Sequence, residues 1–169
     1  MTTTVYDLLR QRCGLSQEDA ALFHNVRIDT IRSWCGDRRP APPGPIAELK
    51  GLYRDIIKAG EILAAGARLL PQIDADGNRF YWLGLPLDEQ DARGACGWPC
   101  SSACEAAVAV AIAALEDTVR LVPRVRGGIP TALMPNHERA PARSRSPKDP
   151  FGEYHELDES QKREPPRRR

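Results

Sequence analysis

Apolar residues recur at helical spacing from Val5 onward, in short runs separated by turn-forming residues. Val5, Leu8, Leu9 and Arg12 follow threonines able to cap, and Gly14 marks a stop, so a first short helix is predicted. Ser16, with Asp19 three residues on, reads as the cap of a second helix whose narrow apolar face is Ala20, Ala21 and Phe23. His24-Asn25 reads as a tight turn, because Asn tolerates left-handed backbone. A third helix is predicted over about Ile28 to Cys35, burying Ile31 and Trp34 and ended by Gly36-Asp37.

The proline-rich stretch Pro40–Pro45 is a stiff connector, and its last proline suits the start of a helix. Ile46, Leu49, Leu52, Tyr53, Ile56, Ile57 and Leu63 then recur at three- and four-residue intervals and predict a long helix. Gly60 and Gly66 should weaken its far end, and Pro71 should close it. Around Ile73 the period changes. Asp76-Gly77 followed by Phe80-Tyr81-Trp82-Leu83 predicts a hairpin over residues 72–86. A loop around Asp88–Trp98 follows. Pro99 then opens an Ala/Val-rich helix expected to run to about Leu121, where Pro123 ends it. From Arg126 no periodicity remains, and 7 of the 15 prolines lie there, so the C-terminal stretch is expected to be a disordered tail.

The pattern therefore predicts a mainly α chain: an N-terminal bundle of helices over residues 1–65, a small α+β companion segment of hairpin plus helix over residues 66–125, and a tail over residues 126–169. With 169 residues, one ordinary domain or one small domain and a modest companion is all the chain can hold.

Composition changes this picture only in part. Lys+Arg number 24 and Asp+Glu 23, for a formal net charge of +1. Bulk electrostatic packaging of nucleic acid is excluded by that balance. The charge is unevenly spread: +1 over residues 1–40, −3 over residues 41–125 and +3 over residues 126–169. Hydrophobic residues at 41% suffice for a core. No run approaches the ~18 apolar residues of a membrane span, and the segment beginning MTTTVYDLL lacks the pattern of a secretory signal. No membrane association and a cytoplasmic location, on the nucleoid when bound to DNA, are the expectations.

Little of the sequence suggests catalysis. It holds no phosphate-binding Gly loop, no HExxH, no nucleophile elbow and no paired-carboxylate motif. His24 lacks a nucleophile or carboxylate nearby in sequence, and His137 and His155 fall in the tail. No enzyme activity and no cofactor are expected. Cys96, Cys100 and Cys104 share a four-residue spacing, but Gly97 and Pro99 interrupt any helix through them and a fourth ligand is missing. They read either as small buried hydrophobes or as a thiol or metal sensor.

Two helices joined by a short turn, with small residues where they cross, is the arrangement that sets a second helix into the DNA major groove. Gln17–Cys35 resembles the helix-turn-helix of Cro and lambda-repressor type regulators: LSQEDAA leads, NV forms the turn and TIRSW lies in the second helix, with GDRRP after it. The resemblance extends over residues 3–65 at most, and Ala21, Asn25, Val26, Ile31 and Trp34 fall at the scaffold offsets. It departs from the pattern at three positions. Asn25 stands where Gly is usual, Arg27 where a Ser or Thr caps, and Cys35 where Glu commonly follows the Trp.

The resemblance implies base contacts from Arg27, Ile28, Asp29, Arg32 and Ser33. Arg27 and Arg32 offer forked donors to guanine, Ile28 suits a thymine methyl, and Asp29 can accept from cytosine. Asp29 can equally serve only the helix terminus, and Ile28 can pack on His24 or Val26. Gln17, Arg38 and Arg39 are the phosphate candidates, the last two alternatively a solvated loop pair. Double-stranded DNA is thus the expected partner, with the chain acting as a transcriptional repressor and binding as a homodimer over a palindrome. The other reading is an antitoxin-like interaction module that binds a partner protein through residues 66–125. One face of the last helix (Ala107, Ala111 and Ala114 with Val108, Ile112 and Leu115) is either a dimer seam or the segment's own core.

Overall fold

A computed structural model describes residues 3–124, 129–133 and 135. In chain order these form α1 (Val5–Arg12), α2 (Gln17–His24), α3 (Ile28–Cys35), α4 (Pro43–Arg68), β1 (Gln72–Ile73), β2 (Arg79–Leu85), α5 (Glu89–Gly94), α6 (Ser101–Ala114) and β3 (Thr118–Pro123). The fold is mainly helical with a small three-stranded sheet, as the pattern predicts. The expected tail from residue 136 onward lies outside the described residues.

Local chemistry explains the first three helices. Thr4 caps α1 through its side chain, accepting from the Asp7 amide. Ser16 and Asp19 close a reciprocal capping box on α2. The expected apolar face of α1 is rotated, however. Val5 and Leu8 are exposed, and the buried stripe is Tyr6 and Cys13, with half-buried Leu9 between them. Tyr6 wins because its ring meets Trp34 edge-on at 5.1 Å and 69°.

Asp7 ties this helix down. Its carboxylate accepts from Arg10 Nη2 at 2.7 Å and from Gln11 Nε2 at 2.7 Å. Burial alone would raise its pKa, but the Arg10 hydrogen bonds outweigh burial and hold the carboxyl below the ordinary value of 3.8. A depressed acid stabilises the fold above its unfolded pKa and loses that contribution as pH falls through the folded one. Asp7→Asn should therefore cost roughly 1–2 kcal/mol at neutral pH. In urea titrations the gap between variant and parent should close below pH 3.8.

The long helix α4 forms as the spacing predicts, burying Leu49, Leu52, Ile56 and Leu63. It runs unbroken past Gly60 and through residue 65. Gly60 is a crossing point, not a weakness: a Cβ there would lie 2.5 Å from Val110 Cβ and 2.6 Å from the Ala107 carbonyl oxygen. Ala59, Ala64 and Ala67 on α4 and Ala103, Ala107 and Ala111 on α6 are also buried, so two small-residue faces meet closely. Of the seam-or-core face, Ala107, Val108, Ala111 and Leu115 are core, whereas Ala114 and Ile112 are exposed. One hydrophobic core joins Tyr6, Leu15 and Ile31 to Leu83, Trp98 and Val108, and all described residues fall in one compact unit, Met1–His137.

The expected hairpin forms, β1 and β2 pairing antiparallel with Gln72 opposite Phe80 and Gly77 at φ 84° in the turn. The helix expected to reach Leu121 instead stops at Ala114, and the segment expected as its last turns is β3. Thr118, Val119 and Val122 are β-branched and pair parallel to β2 from Phe80↔Thr118 to Leu85↔Pro123. The expected loop at 88–98 contains α5, capped by Asp88. Together α5 and α6 form the crossover that a parallel pair requires.

Residues 129–133, which fall within the expected tail, pack on the fold. Ala132 is 1% exposed and its carbonyl accepts from Trp98 Nε1 at 3.1 Å. Thr131 bridges Gly84 in parallel.

Candidate functional site

Helices α2 and α3 meet at a left-handed residue. Asn25 has φ 54° and ψ 49°, and its amide donates to the Leu22 carbonyl at 3.2 Å. The next amide, on Val26, donates to Ala21 at 3.0 Å, closing the end of α2. Val26 packs half-buried against the core, as does Ala21. Ala20, which carries no expected scaffold role, is the fully buried alanine of α2.

Helix α3 then divides cleanly into two faces. Ile31 is 0% and Trp34 5% exposed, so both scaffold residues are core. Arg27, Asp29 and Arg32 are exposed, and Ile28 and Ser33 are half-buried. Arg27 is the residue before the helix, in extended backbone and with no side-chain cap bond. Arg32 Nη1 donates to Asp29 Oδ1 at 3.2 Å across one turn. That pair is largely solvated and so contributes little to stability. It holds the guanidinium on the outer face.

Beyond α3 the chain curls back on the helix end. The amides of Arg38 and Arg39 both approach the Ser33 carbonyl, at 3.1 and 3.4 Å, with Asp37 at φ 58° making the turn. Both arginines are exposed. Arg27, Arg32, Arg38 and Arg39 therefore stand within thirteen residues against only Asp29 and Asp37, on a helix and the loop that follows it. Gln17 is half-buried at the first position of α2.

His24 does more than turn the chain. Its side chain is 1% exposed, and Nδ1 lies 2.6 Å from Glu48 Oε2 on α4. The ring also packs on Phe23 at 4.9 Å and on Tyr6 of α1 at 5.7 Å, so it links α2 to α1 and α4. Local sequence could not show a partner 24 residues away. Tyr6 Oη, His24 Nε2 and Trp34 Nε1 are buried without a hydrogen-bond partner among the described residues. Burial, followed by the influence of Cys35, raises the Tyr6 hydroxyl pKa and keeps it protonated.

The cysteines pack as small apolar side chains. Cys96, Cys100 and Cys104 are each at most 1% exposed. Burial pushes the Cys100 thiol to about 11 and the Cys104 thiol to about 12, so the reactive thiolate is disfavoured. Their sulfurs engage carbonyls instead: Cys100 Sγ with Gly14 at 3.9 Å and Cys104 Sγ with Ala132 at 3.5 Å. Among the described residues no group of three His, Cys, Asp or Glu side chains is placed to hold a metal ion.

No protein-family model and no curated protein matches the chain. No helix among the described residues is long and apolar enough to cross a membrane.

Proposed function

We propose that the protein is a sequence-specific DNA-binding transcriptional repressor of the Cro and lambda-repressor type. It reads the major groove with α3, acts by binding and not by catalysis, and works in the cytoplasm as a dimer on a palindrome. The observation that carries this reading is the division of α3. Ile31 and Trp34 hold it to the core while Arg27, Asp29 and Arg32 face solvent. The exposed side of α3 and the loop after it carries Arg27, Arg32, Arg38 and Arg39 against Asp29 and Asp37, a locally basic surface suited to phosphates and guanine edges. Exposed Arg38 and Arg39 supply the phosphate contacts that fix register, and Ile28 and Ser33 complete the base-reading set.

The near-zero net charge is compatible with this reading, because specific binding needs a local basic face and not a basic protein. Selection of bound duplexes from a random pool at stated salt should return a palindrome with half-sites ~34 Å apart, one helical turn. Arg32→Ala should cost about 1–3 kcal/mol on that site and relax preference at one base pair. Equal binding of parent and variant to cognate and random duplexes would remove α3 from the reading.

A further inference from the structure

We infer that His24 and Glu48 are a positioning pair that sets the pose of α3, a role that rests on the proposed function for its effect on duplex binding. Neither side chain reads a base. Together they hold the helix that does.

His24 is the last residue of α2, and only Asn25, Val26 and Arg27 separate it from α3. Its ring is one of three that meet where α1, α2 and α3 converge. Trp34 of α3 lies 5.1 Å from Tyr6 of α1 at 69°, and 6.2 Å from His24 at 76°. Tyr6 in turn lies 5.7 Å from His24. Trp34 therefore rests on two rings, one from each neighbouring helix. Helix α3 packs on α1 and α2, and α1 packs on α4. The His24–Glu48 contact adds a direct tie from the α2–α3 unit to α4.

That tie has a direction. A carboxylate only accepts, so the 2.6 Å contact between His24 Nδ1 and Glu48 Oε2 puts the shared hydrogen on Nδ1. The imidazole is 1% exposed, whereas the Glu48 side chain is 57% exposed and reaches it from the surface. Tyr6 Oη and Trp34 Nε1 have no hydrogen-bond partner among the described residues. Packing alone thus places those two rings, and the imidazole they lean on is the one that a hydrogen bond anchors.

Removing the acceptor leaves a buried N–H unpaired, so the imidazole must turn to reach water. Trp34, packed against it, follows, because a close-packed core leaves no gap for one ring to move alone. Trp34 and Ile31 are the buried side of an eight-residue helix, so a displaced Trp34 turns α3 about its axis. Arg32 on the outer face then swings with it, and forked donation to a guanine edge tolerates little misalignment.

The test compares Glu48→Ala and Glu48→Gln with Glu61→Ala, which removes the same charge from an exposed position of α4. Residual dipolar couplings of the free chain give the orientation of α3 relative to α4. Titrations at fixed salt give the affinity ratio between the selected duplex and a random one. In Glu48→Ala, α3 should reorient and the ratio should fall by about tenfold. Glu48→Gln keeps a side-chain carbonyl that accepts from Nδ1, so α3 should stay in place and the ratio within about twofold of the parent's. Glu61→Ala should behave likewise. The His24 nitrogen shifts should report a protonated Nδ1 in the parent and in Glu48→Gln, and loss of that fixed tautomer in Glu48→Ala. A simple loss of stability lowers both affinities alike and leaves the ratio unmoved. Should Glu48→Ala not fold, Glu48→Asp, whose carboxylate sits on a shorter arm, supplies the same readouts.

An α3 that keeps its orientation in Glu48→Ala overturns the inference whatever the titrations show. So does a reoriented α3 with an unchanged ratio. Equal losses in Glu48→Gln and Glu48→Ala overturn it as well, since they would trace the effect to charge and not to the hydrogen bond. A parent that prefers no duplex, with α3 reoriented in Glu48→Ala, instead removes the DNA-binding function and leaves the positioning pair standing.

Discussion

Gly14→Ala should lower the free energy of unfolding by about 2–4 kcal/mol, the sum of a backbone term and a packing term. Gly14 has φ 72°, where an L side chain is strained by ~1 kcal/mol or somewhat more. The packing term comes from what stands in the way. A Cβ there would lie 2.5 Å from the Ser102 carbonyl oxygen, 2.7 Å from its carbon and 3.1 Å from the Ala103 nitrogen. These are backbone atoms in the first turn of α6, so no flexible side chain can swing aside. The α1–α2 turn and the start of α6 must separate, breaking the Cys100 contact to the Gly14 carbonyl.

Gly77→Ala is the control, because it shares the positive φ of 84° but has nothing within 4 Å. It should cost only the backbone term, about 1 kcal/mol. Urea denaturation of both variants separates the two contributions. Equal losses would mean that the turn after α1 does not press on α6.

That contact explains why part of the fold was legible in the sequence and part was not. The capping box of Ser16 and Asp19 and the left-handed Asn25 are local devices, readable from three or four neighbouring residues. Ile31 and Trp34 are legible because their spacing leaves one face of an eight-residue helix apolar. The expected face of α1 fails for the opposite reason. Leu8 is more hydrophobic than Tyr6, but only Tyr6 has Trp34 and His24 to meet, and both lie in other helices.

Partners distant in sequence account for the remaining differences. Gly60 looks like a weak point until α6, fifty residues on, is brought against it. Thr118–Pro123 continues an apolar stretch that reads as helix, and its parallel pairing with β2 has no local signature. At the candidate site, the scaffold and the exposed arginines were legible, whereas the His24–Glu48 link was not.

Trp98→Ala should be the most damaging single truncation, costing about 3–5 kcal/mol. Trp98 is the largest of the fully buried side chains, at 1% exposed. Its position follows from Gly97, whose φ of 78° turns the chain after α5, and from its own amide, which donates to Ala92 at 2.9 Å. The ring fills the core, and Nε1 donates to the Ala132 carbonyl, so one side chain both packs the centre and fastens residues 129–133. Trp98→Phe separates the two roles. It keeps most of the apolar volume and removes the donor, and should cost roughly 1–3 kcal/mol.

Exchange at the Gly84 amide distinguishes them further, because that amide donates to Pro130 at 2.8 Å. In Trp98→Ala it should exchange faster by more than global destabilisation accounts for, since residues 129–133 lose their anchor. The Val26 amide, in the α2–α3 turn, should follow global stability alone. Were Gly84 and Val26 to accelerate equally, residues 129–133 would be held by something other than Trp98. The segment from Ile129 to Leu133 would then owe its place to the Thr131 bridge and the Cys104 contact.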